Sequence, residues 1–299
     1  MKARKNLWFA LGVVMLLMAV PAKPSNKEQK FAGRIIRNVS YVRHGPQPLH
    51  MTIYIPAGDA KNLPGVLVIH GGGFIGGMRS PQMEPLSITL ANNGMVVFNI
   101  EYRLAPWARM PAPIEDVRCG LRWIAKHGAE YGADPTRLGV TGESAGGFLS
   151  AMSVFPTPDQ FTDQACREGT TQVPELKAAV LYYGLYDLAK SWDSGFPAGR
   201  LMLYETMFST PKQNPEKYRK YSPISYERAG LPPILILAAE KDHLLPESKD
   251  LYSALKGLGD PVEMKVYPGA KHGFAVYLNG PPGQEGLDAA VEFFQKNLR

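Results

Sequence analysis

Apolar positions along this chain alternate between short continuous or every-second-residue runs and longer stretches in which they recur every three or four residues. The short runs predict strands at 35–42, 49–55, 65–69, 95–100, 137–141, 178–183, 234–239 and 262–266. Several, such as Pro233-Ile-Leu-Ile-Leu-Ala-Ala239, are apolar throughout, as a strand buried on both faces must be. The longer periodic stretches predict helices at 85–92, 114–131, 144–154, 246–258 and 286–298. Strands alternating with helices imply an α/β class: a mostly parallel, eight-stranded sheet covered on both faces. The first two strands have no helix between them and are expected to form an antiparallel edge.

Two stretches break the alternation. Residues 156–174 are polar and irregular. Residues 187–231 form a lid-like insertion rich in aromatics: Trp192, Phe196, Tyr204, Phe208, Tyr218, Tyr221 and Tyr226. Insertions of this length on such a scaffold make lids and pocket walls. Most of these rings are expected to pack among themselves and a few to face a ligand. Trp107, beyond the strand ending at Ile100, is a candidate pocket wall.

The N-terminus follows a different pattern. Lys2, Arg4 and Lys5 precede an apolar run from Leu7 to Val20, and Pro21-Ala22 leads into polar sequence. That is the layout of a signal peptide, cut after Ala22. It divides the chain into a leader at 1–22 and one domain at 23–299, destined for the periplasm or for secretion. The run is short for a spanning helix, so an uncleaved anchor is the lesser reading. Losing the three basic leader residues takes the formal charge from +6 to +3. What remains argues neither for nucleic acid nor for a stable membrane partner.

A length of 299 residues and 45% hydrophobic content suit a single folded domain with a substantial core. Export would permit a disulfide between the two cysteines, Cys119 and Cys166. Cys119 falls within a helical pattern, however, and is expected to pack as a small apolar group. No Cys/His cluster has metal-ligand spacing, and no cofactor is expected.

Gly142-Glu143-Ser144-Ala145-Gly146-Gly147 directly follows the strand at 137–141. A serine with glycines two residues away on each side fits a sharp strand-to-helix turn that presents a nucleophile. His70-Gly71-Gly72-Gly73-Phe74 follows the strand at 65–69. Acyl transfer builds negative charge on an oxygen, and a glycine run lets backbone N–H groups reach it. Gly72 and Gly73 are the expected donors, with the N–H of Ala145 as the third.

Only His243 and His272 lie beyond Ser144. His272, on the loop before the last helix, is the expected base, and His243 is read as a rim residue. Asp242, at the C-terminal end of the strand at 234–239, is the expected acid; Glu240 and Asp187 are the competitors, better suited to structural turns or caps.

These motifs resemble the α/β-hydrolase fold, in its hormone-sensitive-lipase-like and feruloyl-esterase-like branch. The resemblance is carried by His70 to Phe74, Glu101-Tyr-Arg-Leu-Ala-Pro106, Asp116, Gly142 to Gly147, Asp242 with Leu244-Leu245-Pro246, and His272-Gly-Phe274. It implies a carboxylic ester hydrolase with Ser144, Asp242 and His272 as triad and Gly72, Gly73 and Ala145 as oxyanion hole. Trp107-Ala108-Arg109-Met110 replaces the acidic-basic pair usual after Pro106. The segment ahead of His70 is short for a lipase-like cap, which favours short acyl or aromatic esters, including acetylated or feruloylated carbohydrate. The rival readings are an amidase or peptidase using the same triad, and an inactive binding module on the same scaffold.

Overall fold

The structure is a computed structural model that describes residues 30–163, 165–166, 173–194, 196–275 and 280–299. The strands are β1 (Arg34–His44), β2 (Gln47–Ile55), β3 (Leu63–Ile69), β4 (Val96–Ile100), β5 (Ala133–Glu143), β6 (Leu176–Tyr182), β7 (Ile234–Ala239) and β8 (Val262–Tyr267). They form one sheet in the order β1-β2-β4-β3-β5-β6-β7-β8. The pairs β1–β2 and β2–β4 are antiparallel and the rest are parallel. The expected sheet and its antiparallel edge are both present.

Helices α1 (Glu84–Asn92) and α8 (Pro281–Asn297) cover one face; α2 (Ala112–His127), α3 (Ala145–Val154) and α7 (Leu245–Gly257) cover the other. Each face therefore has its own apolar layer. Leu86, Leu90, Leu287 and Phe294 pack against Val66, Val68, Val97 and Val180 on one side. Val117, Leu121, Phe148, Met152 and Leu251 pack against Leu67, Ile69, Val140 and Leu181 on the other. Strands β3, β6 and β7 read as largely apolar runs because neither of their faces meets water.

The insertion is helical, which its sequence pattern did not reveal. It carries α4 (Leu188–Asp193), α5 (Pro197–Met207), α6 (Pro215–Lys220) and a 3-10 turn at Pro223–Tyr226. Helices of 6 to 11 residues offer too few turns for a clear apolar stripe. Caps define them instead: Asp187 accepts from the amides of Ala189 and Lys190, and Asn214 from that of Lys217. Tyr218 and Tyr221 are buried, whereas Phe196, Tyr204 and Phe208 are exposed.

Cys119 and Cys166 are joined in a disulfide, which corrects the expectation that Cys119 packs alone. The helical position of Cys119 did not preclude pairing, because its face of α2 meets the irregular stretch after α3. Trp107 is likewise displaced from expectation. Its side chain is 83% exposed on the surface rather than forming a pocket wall. The signal-peptide segment lies outside the described residues. Among the described residues no helix is long and apolar enough to cross a membrane.

Candidate active site

Three loops at the C-terminal ends of the parallel strands converge on one point. The first is the β5–α3 turn. Ser144 has φ 54° and ψ −117°, a backbone state that costs a non-glycine residue about 1–3 kcal/mol. Its amide donates to the carbonyl of Tyr182 at 3.0 Å, which helps to hold the turn. Gly146 makes the turn possible: a Cβ there would lie 2.1 Å from the carbonyl oxygen of Ile69. The nucleophile turn and the end of β3 thus touch backbone to backbone.

The second loop carries Asp242, just beyond β7, and the third carries His272, just beyond β8. They are tied together by Lys241 N–H to the Ala270 carbonyl at 2.9 Å and by Gly269 N–H to Glu240 Oε2 at 2.7 Å. Glu240 thus serves the turn. His272 Nδ1 donates to Asp242 Oδ2 at 2.7 Å, and His272 Nε2 lies 2.9 Å from Ser144 Oγ. The structure brings Ser144, His272 and Asp242 into one hydrogen-bonded line. Asp242 Oδ1 also accepts from the Leu244 amide at 3.0 Å.

The charges follow from this packing. Burial alone would lower the His272 pKa, but the hydrogen bond and charge of Asp242, with Glu143 behind it, raise it overall. Burial would raise the Asp242 carboxyl, yet His272, the Leu244 amide and His243 together hold it below its ordinary value. About a third of the His272 side chain is open to solvent, against 1% for Asp242. A base that is exposed at one nitrogen and anchored at the other can exchange protons with a bound molecule.

The glycine run packs against the turn that carries Ser144: a Cβ at Gly71 would lie 2.8 Å from the Glu143 carbonyl oxygen. Gly72, Gly73 and Phe74 all have positive φ, at 113°, 62° and 65°. Among the described residues the amides of Gly72 and Gly73 donate to nothing within the chain. Ala145 is the first residue of α3, where an amide has no intrahelical acceptor. Met202 of α5 seats itself on Gly73, so closely that a Cβ there would come within 2.2 Å of its sulfur. The loop is fixed from behind: His70 stacks on Tyr102 at 4.3 Å, and Ala105 N–H donates to the Phe74 carbonyl at 2.8 Å. Burial pulls the His70 pKa down to about 4, so the ring is neutral, and its Nδ1–H donates to the Gly71 carbonyl.

Glu143 and Gln82, which sequence reasoning passed over, belong here, and so does His243. Glu143, buried beside the serine, accepts from Gly71 N–H at 3.0 Å and from Gln82 Nε2 at 2.6 Å. It was visible inside the motif but gave no sign of its partners, which lie 72 and 61 residues away. His243, read as a rim residue, also reaches the acid: its Nδ1 is 3.3 Å from Asp242 Oδ1.

Elsewhere His44, Asp116 and Asp163 present ligand atoms close enough to surround a cation. Arg103 already fills that role, with Nη2 2.8 Å from both Asp116 Oδ1 and Asp163 Oδ2. A second cation would meet a guanidinium, so the donor set does not suit a metal.

Comparison with known proteins agrees with this architecture. The BD-FAE family matches residues 51–255. Esterase LipQ of Mycobacterium tuberculosis is 30% identical over 217 residues, covering 72% of this chain and 51% of that protein. The chain spans about half the length of the curated relatives it matches. A thermophilic esterase of Thermogutta terrifontis, solved with propionate bound, superposes with a TM-score of 0.73 at 27% identity over 90% of this chain and 96% of its own. A hyperthermophilic esterase of Pyrobaculum calidifontis gives 0.74 at 28% identity, over 89% and 86%. With its motifs on one α/β-hydrolase sheet and the match running through most of that sheet, the chain belongs to the BD-FAE family, in the hormone-sensitive-lipase-like branch of the α/β-hydrolase fold.

Proposed function

We propose that this protein is an exported serine esterase that hydrolyses short-chain or aromatic carboxylic esters through an acyl-enzyme. The observation that carries this reading is the line Ser144–His272–Asp242, at 2.9 and 2.7 Å, beside a loop whose amides are free to meet an oxyanion. Ser144 Oγ attacks the ester carbonyl while His272 Nε2 takes its proton, and Asp242 holds the ring and stabilises the imidazolium. The amides of Gly72, Gly73 and Ala145 receive the negative oxygen. His272 then returns the proton to the leaving alcohol, and water, deprotonated by the same nitrogen, releases the acid.

The acyl preference rests on the insertion. Met202 lies against Gly73, next to where the carbonyl would sit, and this leaves little room for a long chain. The propionate in the Thermogutta esterase is of the size expected for such a site. Export is supported by the Cys119–Cys166 disulfide, since such bonds persist in oxidising compartments. The test is covalent labelling by a fluorophosphonate together with hydrolysis of p-nitrophenyl acetate. Both should be present in the wild-type protein and lost in Ser144→Ala. A wild type that neither labels nor hydrolyses would refute the reading in favour of an inactive binding module.

A further inference from the structure

We infer that His243 and Phe196 form the subsite for the alcohol portion of the ester, selecting alcohols that present a flat apolar face with a hydroxyl at its edge. The inference rests on the esterase reading above. In that chemistry the leaving oxygen must receive its proton from His272 Nε2, so the alcohol departs along the His272 ring. Two rings stand beside it, Tyr183 at 5.0 Å and His243; Tyr183 is buried, so the partly exposed one meets the alcohol.

His243 stands there. Its ring centroid is 5.7 Å from that of His272, and Phe196 packs on it at 4.6 Å. Phe196 comes from the insertion, immediately before α5, and is 40% exposed. His243 has 29% of its side chain open to solvent. The two rings make a short aromatic ledge that runs from the base to the surface.

The chemistry of the ledge is specific. Asp242 holds His272 through Oδ2, and its Oδ1 lies 3.3 Å from His243 Nδ1. Burial, with the neighbouring His272 charge, lowers the His243 pKa despite the opposing pull of Asp242. In the proposed subsite the ring is neutral and carries its proton on Nδ1, the nitrogen that faces the Asp242 carboxylate. Nε2 is then left as an acceptor for a bound hydroxyl. A hydroxyl donor at the edge of a ring stacked on Phe196 satisfies both groups. A phenol-type alcohol and a pyranose each have that form.

The test uses acetyl esters that share one acyl group and differ only in the alcohol: ethanol, phenol, 2-hydroxyphenol and a methyl glucoside. kcat/KM for each is divided by that for the ethyl ester. Phe196→Ala should lower the ratio for all three ring alcohols about tenfold, the scale of one stacking contact. His243→Phe should lower it about tenfold for the two hydroxyl-bearing rings and leave the phenyl ratio within twofold, since the stack is kept and only the acceptor goes. The phenol and glucoside arms tell which ring the ledge prefers. Ratios that stay within twofold in both variants, or a uniform fall accompanied by a shifted pH profile, would overturn the inference. Fluorophosphonate labelling separates the two levels. Labelled variants with unchanged ratios sink the subsite alone, whereas an unlabelled wild type sinks the esterase reading and the subsite together.

Discussion

Gly71 N–H donates to Glu143 Oε1 at 3.0 Å, joining the glycine loop to the residue immediately before Ser144. One buried carboxylate therefore ties the loop of the proposed oxyanion hole to the turn that carries Ser144. It also bears on the base, because the Glu143 charge is one of the influences that raise the His272 pKa. Glu143→Gln should lower kcat about tenfold, as the loop loses its charged anchor. It should also move the kinetic pKa downward, since removing a negative charge disfavours the imidazolium. A pH–rate profile of the variant checks both, and an unmoved or raised pKa would contradict the electrostatic part.

Ser144→Ala, His272→Ala and Asp242→Asn should each reduce kcat by about 10⁴-fold or more, because the members of such a line act as a unit. Glu240→Gln and Asp187→Asn should keep most of the activity. The first only holds the Gly269 amide and the second caps α4. Steady-state kinetics on variants with native circular dichroism tests this, and a Glu240 variant as damaged as Asp242→Asn would reassign the acid.

As the proposed base, His272 must be neutral to accept a proton, and its pKa is raised. kcat/KM should therefore rise with pH through a midpoint above the ordinary histidine value of about 6.5. Stability carries the opposite slope. The imidazolium–Asp242 pair contributes fully below about 6.5 and is lost as pH rises through the raised pKa of His272. The lowered Asp242 pKa adds stability that is present above about 3.9 and lost as pH falls through its folded value. Urea unfolding of wild type and His272→Ala from pH 3 to 9 should show the two curves converging on the alkaline side.

The disulfide closes a loop of 47 residues between α2 and the stretch after α3. Cys119→Ser with Cys166→Ser should cost about 2–4 kcal/mol by urea unfolding. Activity should persist below the new midpoint, because neither sulfur touches the line of Ser144, His272 and Asp242. Full activity loss in a folded double variant would instead place this bridge in control of the site.

For p-nitrophenyl esters, kcat/KM should be greatest between acetyl and butyryl and fall by at least tenfold at octanoyl, because Met202 closes the space at Gly73. A maximum at long chains with activation at an oil–water interface would point to a lipase.

The sequence alone specified most of the sheet's elements. Strands such as β6 and β7 are almost wholly apolar, and every parallel crossover except the β6–β7 insertion showed a helical period, so element type was written in local periodicity. Ser144, Asp242 and His272 could be singled out for the same reason, since each follows its strand at a place where the backbone must turn. Gly72 and Gly73 declared themselves as a run that only close backbone approach requires.

What local pattern cannot encode is which distant side chains meet. The bond from Gly71 to Glu143, the approach of His243 to the far oxygen of Asp242, and the seating of Met202 on Gly73 all join segments whose sequences say nothing of one another. The pairing of Cys119 with Cys166 and the outward turn of Trp107 were decided in the same way. Such contacts depend on how packed layers fix loop ends in space, and a one-dimensional pattern carries only the reason each layer forms.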